Sequence, residues 1–309
     1  MLDLLSILWY IGLMKMTFLI IEFLYFRLIG KISIEKYQYG WVVITGASDG
    51  IGKEIAVVLA KRGFKIILIS RNKIKLEQLA KSLQFSSNNP NVHCIPSDFS
   101  FSHNSPEEFY ANLLKKLENY EISALINNVG TCEYRFFSEQ KLESIENMLA
   151  VNLYPVTMLT YHMLPKFIKR FENTKQRSLI VNFSSTVDLI SVPTTVVYSA
   201  TKTFIDYLSE GIRKECTTGI DIATIKPGVV ATNMSSSHSG NGLDALPLTV
   251  DTNQYAEYLL THLHTGINYG HWKHYILVFI LTLLPRQLTT YLLTKMLPIF
   301  EKIGLVKHT

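Results

Sequence analysis

The sequence predicts an α/β fold: one doubly wound parallel sheet, preceded by a membrane anchor helix and followed by an apolar C-terminal extension. Three observations predict it. From residue 41 onward, short apolar runs alternate with helical patterns. A glycine-rich turn, Thr45-Gly46-Ala47-Ser48-Asp49-Gly50-Ile51-Gly52, stands where the first run ends. The apolar excess of the chain is concentrated at its two ends.

The runs Trp41–Thr45, Lys65–Ser70, Val92–Ile95, Ala124–Asn127, Ser178–Phe183 and Asp221–Ile225 read as buried strands. Ile66-Ile67-Leu68-Ile69 is apolar without alternation, as a strand covered on both faces must be. Between them, Gly50–Lys61, Lys73–Leu83, Pro106–Asn119, Glu143–Lys169 and Thr195–Glu215 read as helices. Strand–helix alternation of this kind gives parallel strands with helices on both faces. Residues 231–250, rich in Ser, Gly and Asn, read as a mobile loop over the site.

Hydrophobic residues make up 48% of the 309 and charged residues only 18%, and the mean hydropathy of +0.17 is positive, which is unusual for a purely soluble protein. Leu4 to Ile29 is almost continuously apolar. As a helix it would run ~39 Å, enough for a bilayer core of ~30 Å. No cleavage-site pattern of small residues follows it. Arg27 stands at the end of the segment, Lys31 and Lys36 follow it, and only Asp3 and the amino terminus precede it, which places the downstream domain in the cytosol. Tyr275–Leu284 is apolar but short, and Pro285-Arg286 interrupts it. That stretch reads as an interfacial or re-entrant hairpin, or as a last strand followed by a packed helix. The resulting organisation is an anchor over 1–30, a linker over 31–40, the α/β domain over 41–250, and over 251–309 a C-terminal helix with a membrane-associated or substrate-covering extension.

Three scattered cysteines, Cys94, Cys132 and Cys216, argue against a disulfide framework and fit a reducing compartment. The net charge of +5 comes without a basic stripe interleaved with aromatics, so no nucleic-acid partner is expected. His262, His264, His271 and His274 cluster without Cys or acidic companions, so no metal is expected and an interfacial, weakly basic segment is.

The glycine turn follows a strand and opens a helix, the arrangement that binds a dinucleotide. Gly46 permits the tight turn, Gly50 lets the backbone approach a pyrophosphate, and Gly52 allows close helix–strand packing. The phosphates then meet the free N–H groups of a helix N-terminus. The acid that holds a ribose 2′-hydroxyl in NAD sites, about 20 residues further on, is missing. Arg71 stands near that position with Lys73 beside it, and a planar guanidinium suits a 2′-phosphate. The expected cofactor is therefore NADP(H). Asp98, after the third strand, is placed to accept a hydrogen bond from an adenine amino group. Asn127-Asn128-Val129-Gly130 ends the fourth strand, where the cofactor should lie.

Tyr-x-x-x-Lys occurs three times, at Tyr198/Lys202, Tyr269/Lys273 and Tyr291/Lys295. Only Tyr198 has a serine thirteen residues upstream, Ser185, at the end of the fifth strand, and a later strand ending in Pro227-Gly228. At i and i+4 the tyrosine and lysine share a helix face. A free tyrosine with a pKa near ~10 is a poor acid–base group. A lysine cation beside it is expected to lower that value. Ser185 would hold the substrate oxygen while Tyr198 donates a proton as hydride reaches the carbonyl carbon.

In order and spacing these motifs resemble the short-chain dehydrogenase/reductase family over roughly residues 40–235. The resemblance implies a Rossmann-type sheet of seven strands. It implies catalytic roles for Asn152, Ser185, Tyr198 and Lys202, with Asn152 supporting a proton-relay water. It implies cofactor contacts from Gly46, Ser48, Asp49, Gly50, Ile51, Gly52, Arg71, Asp98, Asn128, Tyr198, Lys202, Pro227, Gly228 and Thr232, and substrate contacts from Ser185 and Tyr198. Leu68-Ile69-Ser70-Arg71, Asp98-Phe99 and valine at 129 also resemble a narrower branch. Its members are very-long-chain 3-oxoacyl-CoA reductases and 17β-hydroxysteroid dehydrogenases types 3 and 12 of the endoplasmic reticulum membrane. The function implied is NADPH-dependent reduction of a lipid-borne ketone, first a 3-oxoacyl-CoA in fatty-acid elongation. Steroid and 3-ketosphinganine reduction stand as alternatives, and a catalytically silent membrane scaffold as one of another class. The expected partners are the lipid substrate, the membrane, and further copies of the chain or members of an elongation complex.

Overall fold

A computed structural model describes residues 3–28, 30–100, 105–190, 192–216, 218–235 and 248–302. Most of the loop read as covering the site, 236–247, lies outside them.

Among the described residues seven strands form one parallel sheet in the order β3-β2-β1-β4-β5-β6-β9. They are β1 (Trp41–Thr45), β2 (Lys65–Ser70), β3 (Val92–Pro96), β4 (Ile122–Asn127), β5 (Ser178–Phe183), β6 (Ile220–Ile225) and β9 (Gly266–Asn268). A small parallel pair, β7 (Val230–Ala231) and β8 (Val250–Asp251), lies apart from it. The six strands read from the sequence are the first six here. The seventh is not Tyr275–Leu284, which is helical, but the short Gly266–Asn268, too brief to leave a periodic signal.

Helices α2 (Gly50–Lys61), α3 (Lys73–Ser86), α4 (Pro106–Leu117), α5 (Leu142–Thr174) and α6 (Val196–Glu215) cross between the strands. α7 (Thr252–Thr261), unforeseen in the sequence, packs on α2. Two apolar layers result. One holds Val42, Ile44, Ile66 and Leu68 under α2, α3 and α7. The other holds Val43, Ile67, Leu125 and Ile180 with Leu113 of α4 and Leu159 and Phe167 of α5. Adjacent residues of one strand thus enter opposite layers, which is why the strands are apolar throughout. The strand order reverses between β1 and β4, and that switch point opens a crevice at the carboxyl ends of the strands.

Residues 31–40, read as a linker, are packed onto the domain. Ile34 and Tyr37 are fully buried. The Tyr37 hydroxyl donates to Asp221 Oδ2 at 2.7 Å, and Arg177 grips the same carboxylate with two bonds of 2.7 Å. The main chain of Ile32 donates to Leu263 O at 2.7 Å. Burial of Ile34 and Tyr37 and the bond from Tyr37 to the ion-paired Asp221 hold this segment on the domain.

α1 (Leu4–Leu28) is a continuous helix whose Trp9, Met14 and Phe18 are exposed. Among the described residues no single helix is long and apolar enough to cross a membrane. Of the two C-terminal readings, the strand fails. α8 (Trp272–Thr282) and α9 (Arg286–Lys302) instead form a pair bent by 100° at the break that Pro285 occupies, and together they reach the length and hydropathy of a span.

Candidate active site

The glycine turn sits at the carboxyl end of β1 beside the switch point. Gly46 has φ +67° and Gly50 φ +55°, both in the region that favours glycine. A Cβ on Gly46 would stand 2.9 Å from Asn128 Nδ2, and one on Gly52 would run into the same side chain. Asn128 is thus the wedge of the turn. Its Nδ2 donates to Thr45 O at 3.0 Å and Gly46 O at 3.3 Å, while its main-chain N–H donates to Thr45 Oγ1 at 3.0 Å. Asn127 points the other way, donating to Asn182 and Thr160 in the core. Ser48 and Ser70 share a hydrogen bond of 2.7 Å that ties the turn to the end of β2, and Ile51 packs on the core.

Asp49 caps α2, accepting from Gly50 N–H at 2.7 Å, and its other oxygen accepts from Asn233 Nδ2 at 2.6 Å. Thr232 lies against Gly50, where an added Cβ would meet its methyl at 3.2 Å. Asp49, Gly50 and Lys53 on one side and Ala231, Thr232 and Asn233 on the other line a cavity of about 190 Å³. Positive-φ glycines and the free N–H groups of the α2 N-terminus can receive a dinucleotide phosphate there, with Lys53, paired to Glu54 at 3.5 Å, and Asp49 at the rim of the cavity. Arg71 is exposed at the end of β2 with no ion pair among the described residues. Asp98 accepts from Ser100 N–H at 3.1 Å at the end of β3.

The fifth strand's end and α6 bring together the second half of the site. Ser185 is 9% exposed; its side chain hydrogen-bonds Tyr198, and its Oγ lies 3.4 Å from Pro227 O. Ser184, its neighbour, donates to Asp188 Oδ2 and reaches Lys202 O, both at 2.7 Å, so its hydroxyl is consumed by the scaffold.

Lys202 is buried, with Nζ donating to Phe183 O at 2.9 Å and standing 5.4 Å from the centre of the Tyr198 ring. Burial lowers its pKa to about 8. The expected lowering of the Tyr198 pKa is not found. Loss of solvent dominates and raises it well above the ordinary value, and the hydrogen bond from Ser185 opposes this only in part. At neutral pH Tyr198 is therefore a protonated donor, as carbonyl reduction requires.

Asn152 is buried and fully engaged. Its Oδ1 accepts from Thr131 N–H at 2.8 Å, and its Nδ2 donates to Thr131 O and Thr201 Oγ1, both at 3.0 Å. It clamps the loop after β4 to the helix that carries Tyr198 and Lys202. Cys132 and Tyr134, unforeseen in the sequence, belong to that loop. They hydrogen-bond each other and influence Tyr198, so they border the reaction centre. Their position within four residues of Gly130 was the available signal. The tyrosines of the other two Tyr-x-x-x-Lys pairs lie elsewhere: Tyr269 stacks edge-on against Tyr275, and Tyr291 is exposed on α9.

The histidines are not the interfacial basic segment expected. His264, His271 and His274 are 1%, 7% and 0% exposed. Burial lowers the pKa of the first two to about 4 and that of His274 as well. Among the described residues no group of three or more His, Cys, Asp or Glu side chains could hold a metal. Unfolded histidines bind protons below pH ~6.5 and these do not, so stability is present above that pH and is lost as pH falls toward 4. Asp188, raised to about 6 by burial, gains stability over the same window, one group against three. The net expectation is a loss of stability between neutral pH and about pH 5, read as a lower melting temperature. An unchanged or higher melting temperature contradicts it.

The family model described as short chain dehydrogenase matches residues 40–241. The chain is 37% identical over 200 residues to the very-long-chain 3-oxooacyl-coA reductase let-767 of Caenorhabditis briggsae, covering 63% of this chain and 61% of that protein. The chain thus spans about three-fifths of that relative's length. It is 32% identical over 254 residues to hydroxysteroid dehydrogenase-like protein 1 of Gallus gallus, covering 81% of this chain and 73% of that one. Among solved structures it resembles a short-chain dehydrogenase from Sphingobium yanoikuyae in complex with NADPH, at 27% identity and a TM-score of 0.65, over 74% of this chain and 86% of that one.

Proposed function

The chain belongs to the short-chain dehydrogenase family and is an oxidoreductase, and from that premise we propose that it reduces the ketone of a lipid-borne substrate with NADPH. The substrate class we favour is a long-chain 3-oxoacyl-CoA, reduced to the 3-hydroxyacyl-CoA during fatty-acid elongation. One observation carries the chemistry: Ser185, Tyr198 and Lys202 converge at the carboxyl ends of the strands, on the crevice beside the glycine cradle.

NADPH, when bound, supplies the hydride. Gly46, Gly50, Lys53 and Thr232 would hold its phosphates, with Asn128 fixing the shape of the turn beneath them, Arg71 its 2′-phosphate, and Lys202 its nicotinamide ribose. Ser185 then holds the substrate oxygen. Tyr198 gives that oxygen its hydroxyl proton, so the ketone gains two electrons and two hydrogens. Lys202, placed below the ring, steadies the phenolate that remains. Cys132 and Tyr134 keep water from the donor.

The relatives support the substrate class: a 3-oxoacyl-CoA reductase matches at 37% identity. A steroid ketone is the second reading, favoured by the longer alignment with a hydroxysteroid dehydrogenase-like protein. We also propose a membrane seat. The exposed apolar side chains of α1, such as Trp9, Met14 and Phe18, and those of α8 and α9, such as Ile276, Ile280 and Leu292, would sit in lipid. Within this proposal the membrane is that of the endoplasmic reticulum, as the resemblance to the very-long-chain 3-oxoacyl-CoA reductase branch implies, and the catalytic domain faces the cytosol, because lysines follow α1.

Arg71→Asp tests the cofactor. A carboxylate there repels a 2′-phosphate and can accept from a 2′-hydroxyl, so the NADPH/NADH preference in kcat/KM should fall by ~10²-fold or more. An unchanged ratio removes Arg71 from cofactor choice.

A further inference from the structure

We propose that His274 is a positioning residue for the Pro227–Val229 loop, through which the packing of the C-terminal helix pair reaches the active site. The proposal rests on the oxidoreductase reading above. His274 stands in the first turn of α8, fully buried. Its Nδ1 accepts from the main-chain N–H of Gly228 at 3.1 Å, and its Nε2 donates to Val229 O at 3.2 Å. One imidazole thus satisfies two consecutive backbone groups of the loop, and the pair of bonds requires the tautomer with its proton on Nε2. Tyr269 O lies 3.2 Å from the same Nδ1. A proton on Nδ1 would engage Tyr269 and release Gly228.

The same loop is gripped from the catalytic side. Pro227 O accepts from Thr186 N–H at 2.9 Å and from Thr186 Oγ1 at 3.2 Å, with Ser185 Oγ at 3.4 Å. Three residues therefore link α8 to the substrate-holding serine with no intervening side chain. Gly228 is glycine because of this contact and not because of its backbone angle, which lies outside the positive-φ region. A Cβ there would stand 2.8 Å from both His274 Cδ2 and Leu277 Cδ2. The other side of α8 exposes Trp272, Ile276 and Ile280. The helix thus has one face on the catalytic loop and one toward whatever covers the apolar pair. Displacing α8 by a fraction of an ångström moves Gly228 and Val229 with it, because buried hydrogen bonds are costly to leave unmade.

The test compares His274→Ala with Val278→Ala, a cavity in the same helix that makes no bond to the loop, and with His274→Asn, which keeps an acceptor near the Nδ1 position. Hydrogen exchange of residues 226–231, measured without cofactor, should accelerate by ~10-fold or more in His274→Ala. The KM for NADPH should rise ~10-fold or more, with His274→Asn intermediate. Val278→Ala should lower the melting temperature with KM and loop exchange within about twofold of the unsubstituted protein. If His274→Ala does not fold, His274→Asn alone must raise both quantities above those of Val278→Ala. Equal effects of the substitutions at 274 and 278, or unchanged loop exchange, overturn the proposal. Failure of the unsubstituted protein to use NADPH would overturn the functional reading instead, since loop exchange is read without it.

Discussion

Replacing Tyr198 by Phe lowers turnover by ~10²-fold or more while NADPH binding stays within a few-fold of the unsubstituted protein. The phenol contributes only its hydroxyl to the reaction, and the ring that packs beside Lys202 at 5.4 Å is retained. The effect should fall on kcat, since proton donation stabilises the developing alkoxide and not the bound ketone. Ser185→Ala should share part of the loss, because the two hydroxyls act on one oxygen. Steady-state rates with NADPH titrated by fluorescence separate binding from chemistry. Near-normal turnover in the Phe variant would remove Tyr198 from the mechanism.

The largest stability effect is expected beneath the site. Lys226 Nζ lies 2.7 Å from Asp206 Oδ2 and 3.2 Å from Asp188 Oδ2, and the Lys226 and Asp188 side chains are 2% and 1% exposed. One cation serves two carboxylates, and the outer oxygens of both have no hydrogen-bond partner among the described residues. Burial has raised the Asp188 pKa to about 6 even with the lysine in place. Lys226→Met leaves both acids without their counter-ion and should cost about 3–5 kcal/mol. For a domain of this size that lowers the melting temperature by roughly 10 °C. The acid Asp188 also holds Ser184, next to Ser185, so activity should fall with stability. Adding Asp188→Asn to Lys226→Met should recover part of the loss. A melting temperature within about 2 °C of the unsubstituted protein would show that the cluster does not bear on stability.

Most of the sheet was legible in the sequence because strands covered on both faces are continuously apolar, as in Ile66–Ile69 and Val42–Ile44. The glycine turn was legible because positive φ and close approach to Asn128 leave no other residue type. The edge strand Gly266–Asn268 was not, since three residues carry no period. The order of segment 31–40 was hidden for a different reason. Its anchor, Tyr37 to Asp221, joins residues 184 positions apart, which no local pattern records. The catalytic pair was found by spacing, but its electrostatics were not. Spacing suggested that Lys202 would depress the Tyr198 pKa, whereas burial of both side chains reverses that balance. Gly228 shows the same limit. The family resemblance implied a cofactor contact there, and only the packed structure brings His274 and Leu277 against it.

The central claim is NADPH-dependent reduction of a lipid-borne 3-oxoacyl thioester. Its most direct test is NADPH oxidation by the detergent-solubilised full chain with a long-chain 3-oxoacyl-CoA, a 17-ketosteroid and 3-ketosphinganine in parallel. The account predicts oxidation with the acyl-CoA at a kcat/KM ~10-fold or more above the other two, abolished in Tyr198→Phe. Oxidation with none of the three, or a steroid preferred over the acyl-CoA, would contradict it.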